Sequence, residues 1–278
     1  LANYMLIFGN WGAPELGVAG AAWASMIVQV ISLAGVVAYA RITLPDHNLF
    51  TRLWRPDFEV MGQVLRMGVP IGLTTLAEVG LFAASSIMMG WLGTVPLAAH
   101  GIVLQLATAA FMVHVGLSNA ATVRAGTAFG RKDPEHLKRG ALSVLLVSAL
   151  VAAATVAVFL TQQEPLISLF LSADDPDRTA IVAIGSTLLM MAALFQLTDG
   201  AQVLALGLLR GIQDPTVPMI MAAISYWGLG LSAAYLLGFT FGFGGPGIWA
   251  GLVIGLGAAG VMMMTRFWLR AARMAAPR

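Results

Sequence analysis

Short polar stretches divide the chain into apolar runs of about twenty residues, the length a helix needs to cross a bilayer. In lipid every backbone N–H and C=O must find its partner inside the protein, so spanning segments are helices or strands of a closed barrel. The runs lack strand-like alternation, which leaves helices. Composition agrees, with 59% hydrophobic and only 10% charged residues, against about a quarter charged in soluble domains. The fold class is all-α, a polytopic membrane protein.

Apolar spans bounded by Gly, Pro or charge are predicted at 17–40, 61–92, 95–123, 140–162, 179–209, 216–241 and 246–269, after a partial span at the start. Residues 41–60, RITLPDHNLFTRLWRPDFEV, form the longest polar link and read as a linker between bundles. Leu1 opens inside an apolar stretch without initiator Met, basic n-region or cleavage pattern, which reads as an N-terminal truncation of a longer transporter.

Basic residues orient the spans, because cytoplasmic loops are enriched in Lys and Arg. If the helices alternate, Arg41, Arg52, Arg55, Arg66, Arg124, Arg131, Lys132, Lys138, Arg139, Arg210, Arg266, Arg270, Arg273 and Arg278 all fall on one side, leaving only Arg178 opposite. Fourteen of fifteen basic residues therefore place the C-terminus in the cytoplasm. The net charge of +2 and pI near 9.3 reflect this sorting, not a nucleic-acid partner. The absence of cysteine removes disulfides, thiolate metal sites and cysteine nucleophiles.

Tyr4–Phe8 followed by GVAGAAWA resembles Tyr235–Phe239 followed by GIWAGLVIG, at an offset of about 230 residues. Six helices separate the copies, so both run in the same direction, as in parallel repeats of six-helix halves. The chain then divides into the end of a first lobe (1–40, a partial fifth and full sixth helix), a cytoplasmic inter-lobe linker (41–60) and a second six-helix lobe (61–278).

Two carboxylates fall well inside spans, Glu78 and Asp199, and an ionisable group there is a functional candidate by default. Glu78 lies twelve residues beyond Arg66, roughly 18 Å, and Asp199 eleven before Arg210, roughly 16 Å. Both reach about the middle of a ~30 Å hydrocarbon core. Carboxylates at one depth on different helices can share a cation or a proton. Thr74 and Thr75 precede Glu78 by one turn, and Gln196 and Gln202 flank Asp199 at three residues on either side. Such hard oxygen ligands suit Na⁺ better than a transition metal.

His114, about 15 Å deep by the same count, can join this layer as a proton carrier or serve as an interhelical donor. His100 falls at the outer end of its span, and His47 and His136 in cytoplasmic loops. Pro70 and Pro218 interrupt helical hydrogen bonding and can kink their spans. Tyr226 and Trp227 offer aromatic faces to organic cations or simply pack.

Five segments in order, NYMLIFGNWGAPELGVAGAAWA, PIGLTTLAEVGLFAASSIMMGWLGTVPLAAHGI, GLSNAATVRAGTAFGR, TDGAQVLALGLLRGIQDPTVP and SYWGLGLSAAYLL, together resemble the multidrug and toxic compound extrusion (MATE) family, in its NorM-like branch. The resemblance covers essentially the whole chain. It implies a twelve-helix transporter of two lobes around a central cleft, not an enzyme and without a bound cofactor. Such a protein exports cationic or amphipathic compounds in exchange for Na⁺ or H⁺. It implies further a multi-pass protein of a bacterial inner membrane, its partners the bilayer and small-molecule substrates, monomeric at full length. Glu78 and Asp199 match the family's acidic positions in the first and fourth helices of the second lobe. A third acidic position, in the first lobe, has no counterpart here, and His114 stands where the family commonly has Pro.

A flippase for lipids or lipid-linked oligosaccharides, from a related branch, is the alternative transport reading. It would want a basic groove for pyrophosphate, whereas the basic residues sort to one membrane side. An intramembrane aspartyl protease would want two Asp in catalytic motifs, not TLAEVG and QLTDGAQ. A scaffold without transport gives no reason for midplane carboxylates. The 278 residues alone, lacking most of one lobe, are expected to be transport-inactive, which efflux measured from liposomes containing only this chain would contradict.

Overall fold

Helix follows helix with little between them. The computed structural model describes residues 2–12, 14–45, 57–172 and 174–275. It contains α1 (Ala2–Phe8), α2 (Gly17–Thr43), α3 (Phe58–Leu92), α4 (Thr94–Gly130), α5 (Pro134–Thr161), the short α6 (Gln163–Ser168), α7 (Arg178–Gly211), α8 (Thr216–Ala223), α9 (Ser232–Tyr235) and α10 (Gly244–Ala275). Two π-helical stretches, Ile224–Leu231 and Leu236–Thr240, join α8 and α9 into one continuous span. No strand occurs among the described residues. Among the described residues seven stretches, with Thr216–Thr240 taken as one, are long and apolar enough to cross a membrane.

Each predicted span lies within a helix, apart from a one-residue overrun at 162 and 241, and most helices run longer. Thus α4 continues to Gly130, carrying Arg124 with it, and α5 starts at Pro134. Apolarity marks where lipid begins, whereas a helix continues until its backbone groups are capped. Asp133 does this for α5, its carboxylate accepting from His136 N at 2.9 Å, with Pro134 in the first turn, where a missing N–H costs nothing. Pro218 differs from expectation for the same reason. As the third residue of α8 it has no intrahelical acceptor to lose, so it does not break the span. The irregularity falls later, in the π-helical turns. Pro70 does lie inside α3, which continues through it.

The chain forms two compact units, one up to Met61 and one from Gly62. In the first, Leu16 N donates to Leu6 O (3.0 Å), and Gly20 of α2 lies against that same carbonyl. In the second, Gly247 of α10 lies against the Leu237 carbonyl. Leu6 and Leu237 are equivalent in the sequence repeat, so in each copy a glycine early in the second helix lets two backbones touch. The linker reading at 41–60, with His47, Arg52 and Arg55, falls mostly at 46–56, outside the described residues, as do Leu1 and Arg278.

Side-chain contacts give the directions of the spans in the second unit. Ser118 Oγ donates to Val203 O (2.7 Å), Thr122 Oγ1 to Gly207 O (2.9 Å), and Gly126 meets the Gly211 carbonyl. These share one offset of 85 residues, so α4 and α7 run parallel and in register. Thr198 against Gly257 and Gln202 against Gly260 set α7 parallel to α10 in the same way. His114 against Ser148, with Arg124 against Gly140, makes α5 antiparallel to α4. Ser86 against His100, with Gly90 against Leu97, does the same for α3. The central helix is α7, buried along much of its length between α4 and α10.

A side chain at Gly207 would run into the backbone of Ser118. Gly207→Val is expected to lower stability in detergent by about 2 kcal/mol or more, the usual result of overpacking plus a broken interhelical bond. Gly116→Ala, at an exposed helical position facing open space, is expected to be neutral or stabilising. Thermal unfolding of the purified variants checks both.

Candidate functional site

The site grows from a contact between two rings. Phe82 of α3 and Phe195 of α7 meet edge to face with centroids 5.9 Å apart. One helical turn from that contact, in opposite chain directions as antiparallel helices require, stand Glu78 and Asp199. Positions four apart share a helix face, so both carboxylates lie on the faces that bring α3 and α7 together. Asp199 is 2% exposed and Glu78 is half-buried. The two sense each other electrostatically, and Tyr226 senses both.

Beside them lies a cavity of about 210 Å³, lined by Asp199, Val79, Phe82, Thr108, Phe111 and Phe195 among others. Its walls are largely apolar. Water and ions entering it would meet the carboxylate of Asp199 and the hydroxyl of Thr108 as the polar groups among the residues named.

Several buried atoms around Asp199 have no hydrogen-bond partner among the described residues. They are Asp199 Oδ1, both amide atoms of Gln196, Gln202 Oε1 and His114 Nε2. Buried polar groups in folded proteins are overwhelmingly satisfied, and exceptions gather at functional sites or beside ordered water and ions. Here one carboxylate oxygen, two amide oxygens, an amide nitrogen and a ring nitrogen are left without partners, a set that fits a hydrated monovalent cation or a proton. Among the described residues no three His, Cys, Asp or Glu side chains come close enough to hold a metal ion by themselves. A cation at Glu78 and Asp199 would therefore take its other ligands from amide, hydroxyl or water oxygens.

The other sequence candidates separate. Gln202 Nε2 donates to the hydroxyl of the fully buried Tyr226, tying α7 to the Thr216–Thr240 span at the level of the carboxylates. Thr74 is buried and Thr75 exposed, and each hydroxyl donates within α3, to Pro70 O (2.8 Å) and Ile71 O (3.2 Å). Their oxygens stay free to accept or to ligate. His114 is fully buried, its Nδ1 2.9 Å from Ser148 Oγ and its ring packed on Gly200, next in sequence to Asp199. His100 is no peripheral group: 1% exposed, it contacts Ser86 Oγ (3.1 Å) and accepts from Trp249 Nε1 (3.1 Å), joining α3, α4 and α10. Trp227 is 46% exposed, and its indole covers Gly80.

Sequence reasoning treated Arg210 as a depth marker and missed that it interacts with Glu78 and Tyr226. The signal was present, since eleven residues is about three turns, which puts Arg210 on the same face of α7 as Asp199. Thr108, Phe111 and Phe195 were missed because a threonine or phenylalanine in an apolar span carries no mark of which neighbour it faces.

The family model MatE matches residues 70–236. "Probable multidrug resistance protein NorM" of Agrobacterium fabrum is 45% identical over 271 residues, covering 97% of this chain and 58% of that protein. The protein of that name from Rhizobium meliloti is 44% identical, over 95% and 57% respectively. The chain thus spans less than two thirds of the length of these relatives. Among solved structures, an outward-facing multidrug resistance MATE family transporter of the MOP superfamily superposes with a TM-score of 0.83 at 18% identity, over 99% of this chain and 60% of that one. The eukaryotic MATE transporter AtDTX14 gives 0.80 at 18%, over 98% and 60%. At these identities the structures speak for the fold alone.

The Gln202–Tyr226 bond has a measurable consequence. Tyr226→Phe leaves Gln202 Nε2 buried without its acceptor and is expected to cost about 1–3 kcal/mol. Adding Gln202→Leu should recover part of that loss, because the orphaned amide goes with it. Chemical or thermal unfolding of the two single variants and the double variant gives the coupling.

Proposed function

The chain belongs to the MatE family, and on that premise we propose that the full-length protein is a secondary active antiporter that exports cationic or amphipathic compounds in exchange for Na⁺ or H⁺. Glu78 and Asp199 form its coupling-ion site in the second lobe. One observation carries the reading: two carboxylates stand opposite each other on antiparallel helices, beside a small cavity, among buried polar atoms that lack partners.

Two charged carboxylates within electrostatic reach repel, and the repulsion is strong where little water screens it. A Na⁺ ion or a proton between them removes it and lets α3 close on α7. Arg210, on the same face of α7 as Asp199, adds one positive charge within electrostatic reach of Glu78. A cationic substrate drawn to the same negative charge favours the opposite arrangement. Antiport needs no more than this difference in affinity between two facings of the lobes.

On the same reading the protein is a multi-pass transporter of a bacterial inner membrane, monomeric, and not an enzyme. Parallel α4, α7 and α10 carry Arg124 and Arg131, Arg210, and Arg270 and Arg273 towards one end of the bundle. The positive-inside bias makes that end cytoplasmic, which supports a cytoplasmic C-terminus.

Ion-driven efflux from proteoliposomes containing the full-length protein tests the proposal. Glu78→Gln and Asp199→Asn are each expected to reduce gradient-dependent efflux at least tenfold while leaving the protein monodisperse. A Na⁺ gradient at constant pH and a pH gradient without Na⁺, applied separately, identify the ion. Wild-type rates in both variants would refute the assignment.

A further inference from the structure

Helices α4 and α7 are followed by the same punctuation, GRKDP and GIQDP. In each, the third residue is left-handed, Lys132 with φ 55° and Gln213 with φ 59°. The next N–H then bonds a carbonyl five residues back, Asp133 N to Ala128 O (3.0 Å) and Asp214 N to Leu209 O (2.9 Å). This turn satisfies the last carbonyls of a helix and turns the chain away from its axis. After it the two aspartates part company. Asp133 caps α5, whereas α8 has no side-chain cap. Asp214 instead accepts from Arg266 Nε at 2.7 Å and lies 3.3 Å from Arg270 Nε, both on α10.

The carboxylate diverted from capping is nearly buried, its side chain 7% exposed, while those of Arg266 and Arg270 are 24% and 46% exposed. Arg273, one turn further along α10, is exposed and makes no ion pair among the described residues. Two guanidiniums thus meet one carboxylate with a third beyond them, so three positive charges face a single negative one. Together they line one part of a cleft of about 410 Å³, whose remaining walls include Met221 of α8 and Val261, Met262 and Leu269 of α10.

The cleft is graded along α10. Val261 to Arg273 is about 18 Å of helix, apolar towards the middle of the span and basic at its end. Val261 and Leu269 are 69% and 57% exposed. A free inorganic anion would use only the basic end. A molecule with a negative head and a hydrocarbon tail would use all of it.

We propose that this cleft binds one anionic phospholipid, its phosphate on Arg270 and Arg273 with Arg266 behind, and an acyl chain along Val261 and Met262 towards Met221. Basic pockets between spanning helices at a membrane surface take such headgroups, and the guanidinium fork matches two phosphate oxygens. Asp214 holds Arg266 in place and lowers the repulsion among the three arginines. A bound lipid then braces α10 against the turn that links α7 to α8.

Native mass spectrometry of the full-length protein tests this with phosphatidylglycerol, phosphatidylcholine of the same acyl chains, and inorganic phosphate. One phosphatidylglycerol is expected to stay bound in preference to phosphatidylcholine, with inorganic phosphate unable to displace it at millimolar concentration. Arg270→Ala/Arg273→Ala should weaken it about thirtyfold, the effect of two basic residues beside an anionic headgroup. Arg131→Ala/Lys138→Ala removes two basic residues away from the cleft and should leave binding unchanged. Arg270→Gln/Arg273→Gln, which keeps most of the side-chain length, should repeat the loss. Equal retention of both lipids, displacement by inorganic phosphate, or full binding in the arginine variants would each overturn the proposal.

Discussion

Helix α7 can be enclosed by its neighbours only because they meet it at positions with almost no side chain. Gly207 and Gly211 take the backbone of α4, while Gly257 and Gly260 of α10 accept Thr198 and Gln202. Lipid gives no hydrophobic drive for helices to associate, so close packing and interhelical hydrogen bonds must supply it. Ser118 and Thr122 contribute those bonds where the backbones are closest. A carboxylate as deep as Asp199 is tolerable on such a helix because protein, not hydrocarbon, surrounds it.

The same constraint explains how the site is supplied with polar groups. Its side chains come from helices, so most of the hydrogen-bonding capacity the region can offer a ligand lies in side chains. Some is absorbed at once, as in Gln202 with Tyr226 and His114 with Ser148. Most of what is left over, on Asp199, Gln196, Gln202 and His114, belongs to Asp199 and residues near it, with Ser225 Oγ the remaining unpartnered atom among the described residues. A pair of helices held by an aromatic contact one turn away fixes where the second carboxylate, Glu78, arrives.

Much of the fold was legible because span length and glycine, proline or charge punctuation report directly on what lipid demands. Glu78 and Asp199 stood out for the same reason, as charges where charge is expensive. The parts that escaped were those decided by rotation about a helix axis. Nothing in the string distinguishes His100, which ties three helices together, from a histidine at a membrane surface. Thr74 and Thr75 are adjacent in sequence, yet one is buried and the other exposed. Pro218 looked like a kink until its place in the first turn of α8 was known. Arg210 was readable in principle, but hydropathy assigns a basic residue near a span's end to the interface and asks no further.

The π-helical turns in the Thr216–Thr240 span carry one residue more per turn than the α-helix on either side. Phe241 N, for example, reaches back five residues to Leu236 O at 2.8 Å. Such a turn is a dislocation in an otherwise regular ladder. Tyr226 and Trp227 lie within the first such stretch, one gripping Gln202 and the other covering Gly80. The least regular part of the span is therefore the part that presents aromatic side chains to the helices bearing the two carboxylates.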